Sequence, residues 1–95
     1  MAKKIEKIGG FAKDTAKNGK EFTEVNCGEV EAGDELLWIK KNGKVVTYLV
    51  EGLGRDYQVE TGEYNGRGMV TVTKQRAYIK KTKVNRPDGT VKTFK

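Results

Sequence analysis

The sequence contains no histidine and a single cysteine, Cys27, among 95 residues. Histidine is the commonest general base and metal ligand, and a zinc site needs several Cys or His side chains. One cysteine also excludes an intramolecular disulfide, which is consistent with a reducing compartment. The composition therefore predicts neither an enzyme nor a metal protein, and no cofactor is expected.

Long apolar runs are also missing. No stretch approaches the ~20 apolar residues that a transmembrane helix requires. The basic residues 1–13 lack the apolar segment of a secretory signal, so we expect a cytoplasmic protein. The glycines of residues 52–56 precede no helical pattern, which argues against a dinucleotide-binding loop. Four acidic residues between positions 29 and 35 surround turn residues without calcium-loop spacing, and they predict a solvated acidic segment.

Positive charge is concentrated at the two ends of the chain, whose net charge is +6. Residues 1–20 carry six lysines and two acids, and residues 74–95 carry eight basic residues and one acid. Residues 21–73 carry five basic residues and ten acids. This separation favours a polyanionic partner, nucleic acid before membrane, because no amphipathic anchor helix is predicted. The alternative is a solvated surface that keeps a small protein soluble.

Helical periodicity is almost absent from the sequence. Ile5, Ile8 and Ala12 could form a short apolar stripe, but two glycines interrupt it. From residue 21 onward, short β-prone segments alternate with turn residues. We therefore predict one all-β domain over residues 1–95, a small OB-like or SH3-like barrel of about six to seven antiparallel strands with little or no helix. Its basic parts are an N-terminal segment (1–20) and a C-terminal hairpin (74–95).

Turn signals define the predicted hairpins. Asn42-Gly43 predicts a two-residue type I′ turn between residues 35–41 and 44–50, with Ile39 opposite Val46. A second Asn-Gly pair occurs at 18–19 within the same Lys-Asn-Gly-Lys sequence. The remaining predicted pairs are 10–16 with 21–27, 55–61 with 68–74 around the loop 62–67, and 76–85 with 90–94 through 87–89.

Nucleic-acid binding requires basic side chains for phosphates and exposed rings for base stacking. Each candidate ring lies within a few residues of a Lys or Arg. The predicted stacking residues are Phe22, Trp38, Tyr64 and Tyr78. The predicted phosphate contacts are Lys17, Lys20, Lys40, Lys41, Lys44, Arg67, Arg76, Lys80, Lys81 and Lys83. Two alternatives stay open: a core role for the rings, favoured for Trp38, and a lysine-protected edge for the last hairpin.

Two short motifs resemble a known family. Residues 17–23, a basic Asn-Gly turn followed by Lys20 and Phe22, resemble the first hairpin of small OB-fold single-stranded-DNA-binding proteins, including compact phage-encoded ones. Residues 31–37, with Gly33-Asp34 entering a hydrophobic strand, resemble a strand entry of many OB barrels. The resemblance implies a non-catalytic protein that binds single-stranded DNA with little sequence preference, in the host cytoplasm if it is phage-encoded.

Two other functions remain open at this stage. A protein-binding β-barrel, such as a phage-encoded inhibitor or assembly factor, would use the acidic middle of the chain and Trp38 as an interface. An SH3-like barrel on duplex DNA or RNA is the third alternative. No membrane partner is expected, and the sequence leaves self-association open.

Overall fold

A computed structural model describes residues 2–94, and every regular element in it is a β-strand. The all-β prediction is therefore confirmed. The strands are β1 (Lys4–Ile8), β2 (Asp14–Thr15), β3 (Glu21–Asn26), β4 (Glu35–Ile39), β5 (Val45–Asn65), β6 (Gly68–Asn85) and β7 (Val91–Thr93).

All seven strands belong to one sheet of order β1-β4-β5-β6-β3-β2, with β7 also paired to β6. The pairing is antiparallel except between β1 and β4, which run parallel. The predicted closed barrel of antiparallel strands is wrong in both respects. Among residues 2–94 no ladder joins β1 to β2, so the sheet stays open. β1, where the sequence predicted no strand, forms a parallel edge of the sheet.

The sheet nevertheless curls, because its two end strands are consecutive in the chain. The six Cα steps from Ile8 to Asp14 reach about 22 Å at most. In a flat sheet, five strand spacings would separate β1 from β2 by about 24 Å. The linker 9–13 crosses the opening: Phe11 packs 5.2 Å from Trp38 between ring centroids, and the Ala12 carbonyl accepts a hydrogen bond from Thr23 Oγ1. Irregular chain thus covers the gap that a closed barrel would fill with a ladder.

The central hairpin forms, but its turn is not the predicted two-residue type. The Gly43 N–H donates to the Lys40 carbonyl and the Lys40 N–H to the Lys44 carbonyl, so three residues form the loop. Gly43 has a positive φ of 91°, and Asn42 does not. Asn42 Oδ1 instead accepts the Lys44 N–H at 3.0 Å, which stabilises a type I turn followed by a left-handed glycine.

This turn shifts the register by one residue. Trp38 lies opposite Val46, and Leu36 lies opposite Tyr48. Because side chains alternate between faces, the shift groups different residues from those predicted. Leu36, Val46 and Tyr48 are buried together on the inner face, where the predicted register had separated Leu36 from Tyr48.

The same turn geometry occurs at three places in the chain. The Ala16 N–H donates to the Lys20 carbonyl and the Arg86 N–H to the Thr90 carbonyl, as Lys40 does to Lys44. In each loop a side-chain oxygen accepts a hydrogen bond from the backbone N–H of the residue two positions later. The acceptors are Asn18, Asn42 and Asp88. Turn geometry therefore explains the repeated Asn-Gly pairs without a duplicated domain.

The core lies inside the curl of the sheet. Its buried apolar side chains come from β3 to β6 and the loop before β4: Val25, Val30, Leu36, Val46, Tyr48, Val50, Ala77, Ile79 and Val84. Four less buried side chains pack around it: Ile5, Phe11, Trp38 and Phe94. Few large apolar residues are available, which agrees with the 36% hydrophobic content.

β5 and β6 extend well beyond the core. They pair from Val45/Asn85 to Asn65/Gly68 with four register irregularities, and only Gly66-Arg67 forms the turn. The predicted loop 62–67 is therefore shorter, and both strands are longer, than expected. Residues 56–73 form a two-stranded ribbon, which accounts for a longest molecular extent of 53 Å against 29 and 28 Å.

Asp34 belongs to the acidic segment expected to be solvated, but its side chain is only 1% exposed. Oδ1 accepts the Lys3 N–H at 3.0 Å and Oδ2 accepts the Glu31 N–H at 2.9 Å. These hydrogen bonds, that from Glu31 contributing most, lower the pKa of Asp34. The carboxylate thereby ties the start of β1 to the turn before β4.

Asp34→Asn should lower the free energy of unfolding at neutral pH, because an NH₂ group would then face a backbone donor. The pKa of Asp34 is depressed in the folded state, so its stabilisation is present above the ordinary value of 3.8 and is lost as pH falls through the folded pKa. Urea unfolding should show a wild-type advantage that shrinks below pH 3.8. An advantage independent of pH in that range would contradict the assignment.

Gly10 and Gly9 provide a matched pair that tests how the linker packs. Both have positive φ, but a Cβ at Gly10 would fall inside the indole of Trp38, whereas one at Gly9 meets nothing within 4 Å. Gly9→Ala should cost about 1–2 kcal/mol for the backbone conformation alone. Gly10→Ala should cost a further ~1–3 kcal/mol for displacement of the ring and should change the Trp38 near-UV signal. Equal losses in denaturant unfolding would show that the linker does not pack on Trp38.

Candidate nucleic-acid interface

Alternation along β3 divides its side chains between core and surface. Thr23 and Val25 are buried, while Phe22 and Glu24 lie on the outer face. On β6, Tyr78 lies opposite Phe22 and Arg76 lies opposite Glu24. Strand pairing thus places two aromatic rings, a guanidinium and a carboxylate side by side outside the core.

The aromatic and cationic groups are in direct contact. Phe22 and Tyr78 meet edge to face, with centroids 6.2 Å apart and planes at 63°. The Arg76 guanidinium carbon lies 4.2 Å from the Phe22 centroid, within cation–π range. Arg76 is exposed, so its planar guanidinium extends the aromatic surface toward solvent.

β5 contributes a glycine, Gly54, where a side chain would otherwise crowd Tyr78. Gly52 lies opposite Tyr78, and a Cβ there would meet nothing within 4 Å. A Cβ at Gly54 would lie 3.5 Å from Tyr78 Cε2 and 3.3 Å from Arg76 Cβ. Because Gly54 carries no side chain, this flank of the Tyr78 ring stays open.

A hydrogen bond joins Tyr57 on β5 to Glu24 on β3. Tyr57 Oη donates to Glu24 Oε2 at 2.6 Å, across 33 residues of sequence. The hydrogen bond to Glu24 is the main cause that raises the pKa of Tyr57 above its usual value of 10.0. The carboxylate thus stabilises the protonated phenol that donates to it.

These side chains surround a cleft of about 580 Å³, within the size range of small-molecule sites. A second depression of about 420 Å³ adjoins it and includes Lys17, and a third of about 220 Å³ includes Lys13. Phe22 borders all three. We name the first the Phe22–Tyr78 cleft; it is lined by Phe22, Glu24, Gly54, Arg55, Tyr57, Arg76 and Tyr78.

Most of the basic residues near this cleft form no ion pair within residues 2–94 and can therefore contact an anionic ligand. Among residues 2–94, ion pairs join Lys13 to Glu21 at 2.8 Å and Lys7 to Glu29 at 4.0 Å. The Glu21 hydrogen bond raises the pKa of Lys13, which also donates to Tyr48 Oη at 3.3 Å. Lys13 thus serves the packing around Tyr48, whereas Lys17, Arg55 and Arg76 can reach an anion.

The predicted site residues are distributed over several surfaces. Phe22, Tyr78 and Arg76 come together in the cleft, with Lys17 beside it. Lys80 is exposed two residues beyond Tyr78 on β6. Lys20 occupies the exposed end of the β2–β3 turn.

The remaining predicted stacking residues lie elsewhere. Trp38 packs against Phe11 and, with centroids 6.5 Å apart, against Tyr48, and the Lys40 Nζ is 5.7 Å from its ring. Tyr64 is 75% exposed near the tip of the ribbon, close to Arg67. Neither ring borders the Phe22–Tyr78 cleft.

The remaining predicted phosphate contacts do not line the Phe22–Tyr78 cleft and lie on the last part of β6 and at the turn packed beside its end. Lys41 and Lys44 flank the β4–β5 turn, in which a Cβ on Gly43 would lie 3.8 Å from Pro87 of the β6–β7 turn. Lys81 Nζ is 5.6 Å from the Phe94 ring centroid, and Lys83 pairs across to β7.

Sequence reasoning missed several residues of the cleft: Glu24, Gly54, Arg55 and Tyr57. Glycines at alternate positions within a β-segment are the signal that was available, since they mark an uncovered neighbouring surface. No pattern in the sequence around Glu24 or Tyr57 indicates that these two residues are in contact.

Comparison of the chain with family models, with curated proteins and with solved structures finds no match. Within residues 2–94, no three acidic, Cys or His side chains are grouped so that they could hold a metal ion. The same residues include no helix that is long and apolar enough to cross a membrane.

Proposed function

We propose that this protein binds single-stranded nucleic acid without catalysis, through the Phe22–Tyr78 cleft. One observation carries the proposal: an aromatic ring left open by Gly54 lies beside a guanidinium stacked on a second ring. Base–aromatic stacking contributes about 1–3 kcal/mol per base, and arginine planes stack on bases as well. One or two bases would rest on Tyr78 and on the Arg76–Phe22 stack.

Phosphate contacts would come from cations around the cleft. Arg55 borders the cleft, Lys17 borders the adjoining depression and Lys80 follows Tyr78 by two residues on β6; none forms an ion pair within residues 2–94. Such contacts hold the backbone irrespective of sequence. The hairpin 17–23, which resembles that of OB-fold single-strand binders, supplies Lys17 and Phe22, and we propose an OB-like use of this sheet face.

A single strand fits the cleft better than a duplex does. The faces of bases in a duplex are covered by their neighbours, so stacking on Tyr78 requires an unstacked base. The cleft is bordered by side chains on β3, β5 and β6 and admits a base rather than a double helix. Single-stranded DNA and RNA share this chemistry.

Substitution of Tyr78 tests the proposal against a matched ring. Tyr78→Ala should weaken oligo-dT binding by about 5- to 100-fold, the cost of losing one stacked base. Tyr64→Ala removes an exposed tyrosine of the ribbon and should leave affinity unchanged. Fluorescence anisotropy of a labelled oligonucleotide is the appropriate measurement, because Trp38 lies outside the cleft.

The salt dependence of oligonucleotide affinity tests the proposed phosphate contacts. Affinity should fall steeply with salt, and Arg55→Ala should reduce the slope of log K against log[salt] by about one phosphate contact. Loss of binding in Tyr64→Ala with none in Tyr78→Ala would move the site to the ribbon. Absence of oligonucleotide binding at low salt would refute the proposal and favour a protein partner instead.

A further inference from the structure

Glu24 is the one acidic side chain that lines the Phe22–Tyr78 cleft among the described residues. A carboxylate here repels phosphate, so a surface that bound only the nucleic-acid backbone would be better without it. Its cross-strand neighbour Arg76 does not neutralise it by a salt bridge, because the guanidinium stacks on Phe22 instead. The carboxylate therefore needs a different role within a site that contains stacking surfaces.

The geometry of Glu24 is that of a fixed hydrogen-bond acceptor. Tyr57 Oη donates to Oε2 at 2.6 Å, which holds the orientation of the carboxylate. A carboxylate offers about four lone-pair positions, so most of its accepting capacity remains for a ligand in the cleft. Glu24 also lies two residues from Phe22 along β3, about 7 Å away, so a base stacked beside Phe22 can present its edge to Oε1 and Oε2.

Only one standard base matches a carboxylate with two adjacent donors. The Watson–Crick edge of guanine places N1–H beside the N2 amino group. Adenine and cytosine place one amino donor beside a ring acceptor, and thymine and uracil place one N–H between two carbonyl oxygens. A carboxylate accepts two parallel hydrogen bonds from the guanine edge and meets at least one repelling acceptor on each of the others.

We propose that the Phe22–Tyr78 cleft selects an unpaired guanine, which stacks on the aromatic surface and donates N1–H and N2–H to the Glu24 carboxylate. This inference rests on the proposed function, and it refines the expectation of little sequence preference to one preferred position within an otherwise tolerant strand. Tyr57 acts here as a positioning residue, since it touches Glu24 and not the base edge.

The test compares short oligo-dT strands that carry one central base: thymine, cytosine, adenine, guanine or hypoxanthine. A single guanine per strand prevents quadruplex formation, and hypoxanthine keeps N1–H but lacks the N2 amino group. Anisotropy titrations of the full chain should rank guanine on the order of tenfold above thymine, with hypoxanthine between them. Adenine should bind more weakly than guanine, because it lacks the two adjacent donors. Since both purines stack equally well, adenine controls for the contribution of stacking.

Glu24→Gln should abolish the guanine preference, because the carboxylate that accepts both guanine donors is lost, and should raise affinity for the strands without guanine, because it removes negative charge from a basic cleft. Glu60→Gln, the same change on the exposed ribbon, should leave both the preference and the affinity unchanged. Tyr57→Phe should reduce the preference and retain binding to oligo-dT.

The outcomes separate this inference from the function on which it rests. If the wild-type protein binds none of the strands, the proposed function fails. If it binds all of them equally, if adenine equals guanine, or if the preference survives in Glu24→Gln, binding stands and the selection of guanine is refuted.

Discussion

The antiparallel pairing of β3 with β6 is the constraint on which the rest of this molecule depends. On its inner side, Val25 and Ala77 are buried in a core that has few large side chains. On its outer side, the same register places Phe22 opposite Tyr78. A slip by one residue would exchange the two sides, exposing the core residues and burying the charged ones. Core stability and the candidate site are therefore two consequences of one register.

The surrounding structure serves to present that outer face. The linker 9–13 covers the opening of the curled sheet and packs Phe11 on Trp38, so these rings stabilise the interior. The buried carboxylate of Asp34 fastens β1 to the turn before β4. With the interior filled in this way, Phe22 and Tyr78 stay half-buried on the outer face and line the cleft. A domain with 36% hydrophobic residues can place them outside the core because other rings complete it.

The sequence predicted the features that depend on local chemistry. Turn residues located the hairpins. Phe22, Arg76 and Tyr78, which the spacing of rings and cations predicted as site residues, lie together in the fold, and their role in binding stays a prediction. The predicted turn is wrong where two local structures compete. Asn42-Gly43 suits both a two-residue and a three-residue loop, and the hydrogen bond to the Asn42 side chain favours the three-residue loop. Contacts between residues far apart in the chain could not be predicted from the sequence either. The parallel partner of β1 and the contact of Tyr57 with Glu24 depend on how the whole sheet curls.

The most direct test of this account is an amide NMR titration of the full chain with oligo-dT carrying one central guanine. The account predicts that the largest shift changes cluster on the outer face of β3 and β6, at Phe22, Glu24, Arg76 and Tyr78, with little change at the ribbon tip. Changes confined to residues 62–67, or to the Lys41–Lys44 turn beside Pro87, would place the nucleic acid elsewhere and contradict the account.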